Sequence, residues 1–159
     1  MYFKSICFIV LFVSACFTNE PISYAKMYHT NGNLKAEGWV MGEIKTKYWK
    51  FYDPNGKLVS QGDYKNGKKS GYWYFYNDKG EVLKEGHYKE DVGTNWWIFY
   101  ELAKNENRKI QFKNGKKNGY SLIYKAKKLT RVEKYENDQK TGEWTSYFSF
   151  KRDNPNARF

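Results

Sequence analysis

The chain has 159 residues, which fits one domain, and a formal net charge of +11. Aromatic residues make up 20% of it, which excludes a disordered charged chain, because such chains are poor in aromatic residues. Both cysteines, Cys7 and Cys16, lie near the N-terminus, so the rest of the chain can form neither a disulfide nor a cysteine-based metal site. We therefore expect a folded domain with an aromatic core.

The chain begins with a single lysine, an apolar run at residues 6–13 and the small residues of the segment VSAC that ends at Cys16. The run is shorter than the roughly 20 residues that cross a bilayer and is typical of an export signal. The segment VSAC resembles a bacterial lipobox. We predict that residues 1–15 are a lipoprotein signal peptide, that Cys16 is lipidated, and that residues 16–27 form a tether and the start of the first strand. A plain signal peptide or an uncleaved anchor is the alternative.

A repeat of 24 residues runs through residues 28–148. Tyrosine recurs at this spacing, with the last interval one residue shorter, and glycine, aliphatic residues and tryptophan recur in step with it. The tyrosines are Tyr28, Tyr52, Tyr76, Tyr100, Tyr124 and Tyr147. Residues 28–148 therefore form five units, and the segment SYAKMY before them fits the tail of a preceding unit.

Each unit is predicted to be two strands joined by glycine-containing turns such as NGKK and DPNG. In the strand segment YWYFY, alternation places Trp73 and Phe75 on one face and the tyrosines on the other. Pairing across the NGKK turn sets Trp73 beside Gly62, so that the ring covers the bare backbone, and Phe75 beside Ser60. The predicted structural core consists of Trp49, Trp73, Trp97, Trp144, Gly38, Gly62 and Gly86.

The segments YDPNGKLVSQGDYKNGKKSGYWYFY and its equivalents resemble the MORN repeat variant of bacterial proteins of the YwqK antitoxin type. The resemblance covers residues 24–148. It implies an all-β fold, an elongated twisted antiparallel meander of five β-hairpin repeats. The combination of a lipobox with such repeats is also similar to short flavobacterial envelope lipoproteins. The fourth unit, with the segment ELAKNENRKI, lacks two repeat glycines, so we expect a distorted hairpin there. Residues 149–159 are expected to be a frayed C-terminal tail.

Neither catalytic nor metal-binding residues are predicted, and no cofactor is expected. The two histidines, His29 and His87, have no nucleophile or paired carboxylate at a suggestive spacing. Glu37 and Glu85 occupy the same repeat position, which we expect to be a solvated face. Every glycine fits a turn or a hairpin, so no phosphate-binding loop is left. We predict that the protein is not an enzyme.

Two surfaces are candidates for binding. The first is a face of tyrosine and tryptophan side chains, residues that dominate binding surfaces: Tyr48, Tyr72, Tyr74, Tyr76, Trp96 and Tyr100. The second is a basic edge of the sheet, at equivalent turns two units apart: Lys65, Lys68, Lys69, Lys113, Lys116 and Lys117. The lysines either keep these turns soluble and prevent edge pairing or attract an anionic partner.

The sequence is compatible with two functions. The first is a lipid-anchored protein of the cell envelope, on the periplasmic or surface side of the outer membrane, whose sheet is a scaffold for an envelope protein or glycan. The second is an antitoxin or immunity protein that neutralises a toxin, as the family resemblance implies. A third function, in which the sheet lies on a lipid surface, is compatible with the positive charge, but no residue distinguishes it from the other two. We expect no nucleic-acid partner, because an exported protein rarely meets one.

Overall fold

The computed structural model describes residues 20–158. The predicted signal peptide, residues 1–15, and the predicted lipidation site, Cys16, lie outside these residues. The strands are β1 (Ile22–Tyr28), β2 (Leu34–Met41), β3 (Ile44–Tyr52), β4 (Leu58–Lys65), β5 (Lys68–Tyr76), β6 (Val82–Lys89), β7 (Val92–Glu101), β8 (Glu106–Lys113), β9 (Lys116–Lys125), β10 (Lys128–Glu136) and β11 (Gln139–Trp144). A 3₁₀ helix follows β7 at Leu102–Lys104, and the helix α1 spans Tyr147–Asp153.

The eleven strands form one antiparallel sheet in which each strand pairs with the next along the chain. The predicted all-β meander of hairpin repeats is thereby confirmed. Ten strands were expected from five units, and the additional strand is β1, which contains the segment SYAKMY and pairs with β2. None of the helices in the described part of the chain is long and apolar enough to cross a membrane.

Hydrogen bonds join the tips of successive hairpins along one edge of the sheet. The tips use left-handed backbone conformations, as at Asn66 with a φ of 51° and Gly67 with a φ of 76°. The Gly67 N–H donates to the carbonyl of Lys45 in the preceding hairpin at 2.9 Å. The Asp91 N–H donates to the carbonyl of Lys69 in the same way at 3.1 Å. Each turn is therefore held by the turn before it.

A ladder of aromatic rings forms the core on one face of the sheet. Trp49 and Trp73 are 1% and 0% exposed, and Trp97 is 5% exposed. Phe51 stacks between Trp49 and Trp73, with centroids 6.0 and 6.1 Å away. Each of the three indole N–H groups donates to a carbonyl ten residues earlier, at 2.8 to 3.1 Å. The core of this ladder is therefore aromatic, and its three indole N–H groups are hydrogen-bonded.

The tryptophan rings lie directly over glycines of the neighbouring strands. Gly62 pairs with Trp73 and Ser60 with Phe75, which confirms the predicted pairing across the NGKK turn. A Cβ atom added at Gly62 would lie 2.4 Å from the Trp73 ring. Gly38 and Gly86 stand in the same relation to Trp49 and Trp97, at 2.4 and 2.3 Å. These glycines are therefore required by the close approach of a ring.

The fourth unit departs from the repeat in its connection. The 3₁₀ helix replaces the usual turn, and Asn105 supplies the left-handed residue at its end. Ile110, which is 7% exposed, takes the position that glycine holds in the earlier units. The pairing of β7 with β8 also lacks the register shift that the earlier units have at Tyr52 and Tyr76. The departure from the repeat therefore includes the end of this strand pair as well as the loop.

A frayed tail was expected at 149–159, whereas the structure forms the helix α1 at Tyr147–Asp153. Helix α1 begins after Ser146, whose hydroxyl accepts a hydrogen bond from the Ser149 N–H at 3.1 Å. Phe150 is 0% exposed and packs with Leu122 and Val132. Trp144, which was predicted for the structural core, is half-buried and packs against this cluster. The prediction missed the tail because burial of one side chain, not local pattern, holds it on the sheet.

Replacing Phe150 by alanine is expected to lower the free energy of unfolding of α1 by about 3 kcal/mol. Because a short helix has little stability of its own, α1 should detach while the sheet remains folded. Amide hydrogen exchange checks this, with protection lost in α1 and kept in β3–β7. Phe148→Ala is the matched control, since Phe148 is 80% exposed. Equal protection of α1 in both variants would contradict the expectation.

Candidate functional site

The two faces of the sheet differ in chemistry. We call the face that carries the aromatic ladder the tryptophan face and the opposite one the tyrosine face. The tyrosine face contains all six residues predicted for binding, and alternation in β3, β5 and β7 places them there. Tyr48 is exposed, and the other five are half-buried. These residues are Tyr48, Tyr72, Tyr74, Tyr76, Trp96 and Tyr100.

A hydrogen-bonded pair between a tyrosine hydroxyl and an acidic or amide side chain recurs on the tyrosine face. The Tyr52 hydroxyl donates to Glu37 Oε1 at 2.8 Å, and the Tyr100 hydroxyl donates to Glu85 Oε1 at 2.6 Å. In the unit between them, Gln61 Nε2 donates to the Tyr76 hydroxyl oxygen. Glu37 and Glu85 were predicted to lie on a solvated face, whereas both are half-buried and bonded to tyrosines. Their shared repeat spacing with the tyrosines was the signal that could have revealed the pairs.

The environment of these tyrosines keeps their hydroxyls protonated. Burial and, next in size, the hydrogen bond to Glu37 together raise the pKa of Tyr52 to about 12. Burial also raises the pKa of Tyr72 to about 12, with the charge of Glu85 as the next cause. The pKa of Tyr100 is raised as well, first by burial and then by its hydrogen bond to Glu85. The face therefore presents neutral phenols beside carboxylates.

We expect the free energy of unfolding to fall as the pH rises from about 10 to about 12. In this interval the tyrosines of the unfolded chain lose protons, while Tyr52 and Tyr72 in the folded chain keep theirs until about 12. The folded state then binds more protons than the unfolded state, so rising pH favours unfolding.

Urea denaturation at a series of pH values checks this dependence. The control is the double variant Tyr52→Phe, Tyr72→Phe, which removes two of the responsible groups and keeps the lysines. Its stability should decline less steeply with pH than that of the native chain. Equal slopes would show that these hydroxyls are not responsible.

Helix α1 covers the C-terminal end of the tyrosine face. Phe150 sits on Leu122 and Val132, and Trp96 packs against the same cluster. The Tyr120 hydroxyl donates to Asn154 Oδ1 at 3.1 Å, which ties the segment after the helix to the sheet. Of the predicted binding residues, Trp96 is thus partly used within the chain. The others lie away from this cluster.

The basic edge is less uniform than predicted. The two lysine clusters do lie on the same edge, but the turn with Glu90 and Asp91 stands between them. The Asp91 carboxylate accepts a hydrogen bond from the Lys69 N–H at 2.8 Å. The Lys69 and Lys117 ammonium groups point onto rings of the tryptophan face. Four lysines remain exposed at the tips: Lys65, Lys68, Lys113 and Lys116.

Histidines and carboxylates do not assemble into a reaction centre in residues 20–158. His29 bonds through Nε2 to the Tyr52 carbonyl at 3.0 Å, and His87 packs edge-on against Tyr72. No group of three or more metal-binding side chains occurs in this part of the chain. The candidate sites in this part of the chain are therefore the two surfaces described above, the tyrosine face and the basic edge.

The comparison with protein families finds one match. Residues 24–38 and 45–66 match the model of the MORN repeat variant, which covers less than half of the chain. A search of the curated proteins gave no match. The matched segments lie in β1 to β4, and β5 to β7 continue with the same pairing of tryptophan with glycine. The chain therefore contains MORN repeat variants, built as a meander of β-hairpins.

Proposed function

We propose that this chain is a lipid-anchored protein of the bacterial cell envelope that binds a protein partner through the tyrosine face. MORN repeats generally serve as non-catalytic binding or scaffold modules, which supports a binding role. The lipobox-like segment that ends at Cys16 supports the anchor and the compartment.

The observation that favours a protein partner is the position of α1. The chain's own C-terminal segment lies on the tyrosine face and packs Phe150 against Leu122 and Val132. A peptide segment with one aromatic anchor is therefore a ligand that this face accommodates at one end. The neighbouring tyrosines offer similar apolar area beside hydrogen-bonding groups, since their hydroxyls and the carboxylates of Glu37 and Glu85 lie together.

The composition of this surface also suits a protein interface. Tyrosine and tryptophan are enriched at the residues that contribute most to binding, because they bury a large area and keep a polar tip. Tyr72 and Tyr74 contact one another edge-on, with ring centroids 5.1 Å apart. Tyr48 adds an exposed ring on the adjacent strand pair. Rings held in this way lose little conformational freedom on binding.

Photo-crosslinking in the native host tests the partner. A photoreactive phenylalanine analogue at Tyr74 should give a discrete adduct of higher mass, and protease treatment should digest the added mass. The matched control carries the analogue at Lys79, an exposed residue of the turn between β5 and β6. Adducts at both positions, or at neither, would contradict the tyrosine face as the site. An adduct degraded only by glycosidases would replace the protein partner with a glycan.

The anchor is tested separately with a palmitate analogue. We expect label in the native chain, loss of label in Cys16→Ala, and recovery of the native chain with membranes. If neither chain is labelled and both are cytoplasmic, the envelope proposal fails. The antitoxin hypothesis then becomes the one to pursue, with a toxin encoded nearby as the first partner to test against the same face.

A further inference from the structure

Lysine ammonium groups sit over aromatic cradles on the tryptophan face. A cradle consists of a tryptophan, the phenylalanine two residues later and the ring at the repeat position in the following strand. Lys45 Nζ lies 5.1, 6.0 and 5.7 Å from the centroids of Trp49, Phe51 and Tyr64. Cation–π attraction holds an ammonium group over such rings.

The second cradle repeats the first. Lys69 Nζ lies 4.9, 5.5 and 5.1 Å from the centroids of Trp73, Phe75 and Tyr88. Burial in this cradle lowers the pKa of Lys69. Lys117, two units later, lies 5.0 Å over the ring of Tyr135. The lysine position therefore recurs at 45, 69 and 117.

The third cradle has the rings but not the lysine. The equivalent position between 69 and 117 is 93, and it is occupied by Gly93. The rings are Trp97, Phe99 and Phe112, with three centroid separations of 6.2, 6.3 and 6.3 Å. The corresponding separations in the cradle of Lys69 are 6.1, 6.0 and 6.5 Å. The arrangement that receives an ammonium group is thus nearly unchanged.

Gly93 is not required by the backbone or by close packing. It lies outside the positive-φ residues, and a Cβ atom there would stay 3.4 Å or more from its neighbours, an ordinary contact distance at Trp97 Nε1. Among the described residues, no lysine or arginine nitrogen is found over the rings of this cradle. Trp97 is buried, with 5% of its surface exposed, whereas Phe99 and Phe112 are half-buried and reach the surface. With glycine at position 93, this cradle has no ammonium group of its own.

We propose that the cradle of Trp97, Phe99 and Phe112 binds an alkylammonium group from outside the chain. Lys45 and Lys69 display the bound geometry within the same molecule, so the ligand class follows from the chain itself. Its source is either a lysine side chain of another protein or a small quaternary ammonium compound. The site is on the face opposite to the tyrosine face, so it stands independently of the proposed partner site.

The test is a titration of the full chain followed by the indole N–H signals in two-dimensional nuclear magnetic resonance. Tetramethylammonium chloride represents the small ligand and N-acetyl-lysine amide represents the side chain, with sodium chloride as the ionic-strength control. We expect a saturable shift of the Trp97 signal in the millimolar range with at least one of the two probes. A shift with only one probe identifies the source.

Two substitutions at one residue make the result specific. Gly93→Lys should place its own ammonium group in the cradle and abolish the shift, whereas Gly93→Ala should retain it. Phe112→Leu removes one ring and should weaken binding several-fold, which gives a second check if Gly93→Lys folds poorly. Absence of a saturable Trp97 shift with both probes, or an unchanged shift in Gly93→Lys, would overturn the proposal.

Discussion

Replacing Gly62 by alanine is expected to lower the free energy of unfolding by about 3 kcal/mol. The added methyl group would lie 2.4 Å from the Trp73 ring, well inside contact distance. The ring has little room to move, because its N–H is bound to the Asp63 carbonyl at 3.0 Å and it stacks with Phe51 and Phe75, whose centroids are 6.1 Å away. Chemical denaturation of the variant beside the native chain measures the loss.

Gly93→Ala is the matched control for this experiment. Gly93 also lies in a strand and next to a tryptophan, but its added methyl group would remain 3.4 Å from Trp97. Alanine there also restricts the unfolded chain, so the free energy of unfolding should change by less than about 1 kcal/mol, in the stabilising direction. Losses of similar size at both positions would show that the close approach of the ring is not what selects glycine at 62.

Replacing Trp73 by alanine is expected to lower the free energy of unfolding by about 4 kcal/mol. Trp73 is fully buried and contacts rings on both sides, with Phe51 and Phe75 stacked 6.1 Å away. Its removal leaves a cavity in the middle of the ladder over Gly62, which has no side chain to fill it.

The same denaturation measurement applies to Trp73→Ala, with Phe148→Ala as the control for loss of an aromatic side chain. Phe148 is 80% exposed, so that variant should remain within about 0.5 kcal/mol of the native chain. A loss below about 1 kcal/mol in Trp73→Ala would mean that the ladder does not carry the stability of the sheet.

The sheet could be predicted because its evidence repeats. Trp49, Trp73 and Trp97 each recur in register with a glycine of the adjacent strand, and alternation within YWYFY separates two faces. The pairing of Trp73 with Gly62 follows from one turn and simple alternation. Three units with this pair agree with one another, so an error in one would have been visible against the other two.

The C-terminal helix could not be predicted in the same way. The one clear local signal for this helix is the N-cap Ser146, which precedes its seven residues. Its stability comes from the burial of Phe150 against strands that end before it. The approach of residue 150 to residues 122 and 132 is a tertiary contact that has no counterpart in the repeat. The local sequence pattern therefore predicted a frayed C-terminal segment, whereas the burial of Phe150 packs this segment on the sheet.

The sequence was enough to predict which side chains share a face of the sheet, but not which side chains are in contact. Alternation places Tyr72, Tyr74 and Tyr76 together, as observed. The direction of the Lys69 side chain, in contrast, depends on the register shift between Gly62 and Asp63, which turns the end of β5 relative to β4. Because a shift of one residue moves a side chain to the other face, the lysine cradles became visible only in three dimensions.

The pairing of every strand with its sequence neighbour has a consequence for how the chain assembles. In residues 20–158 the order of strands in the sheet is their order in the sequence, so every strand pairs with strands that are adjacent to it along the chain. Folding rates rise as contacts become more local, so this all-β protein avoids the slow long-range closures of sandwiches and barrels. A polypeptide of this design can grow hairpin by hairpin as it emerges, with each new tip hydrogen-bonded to the tip already in place.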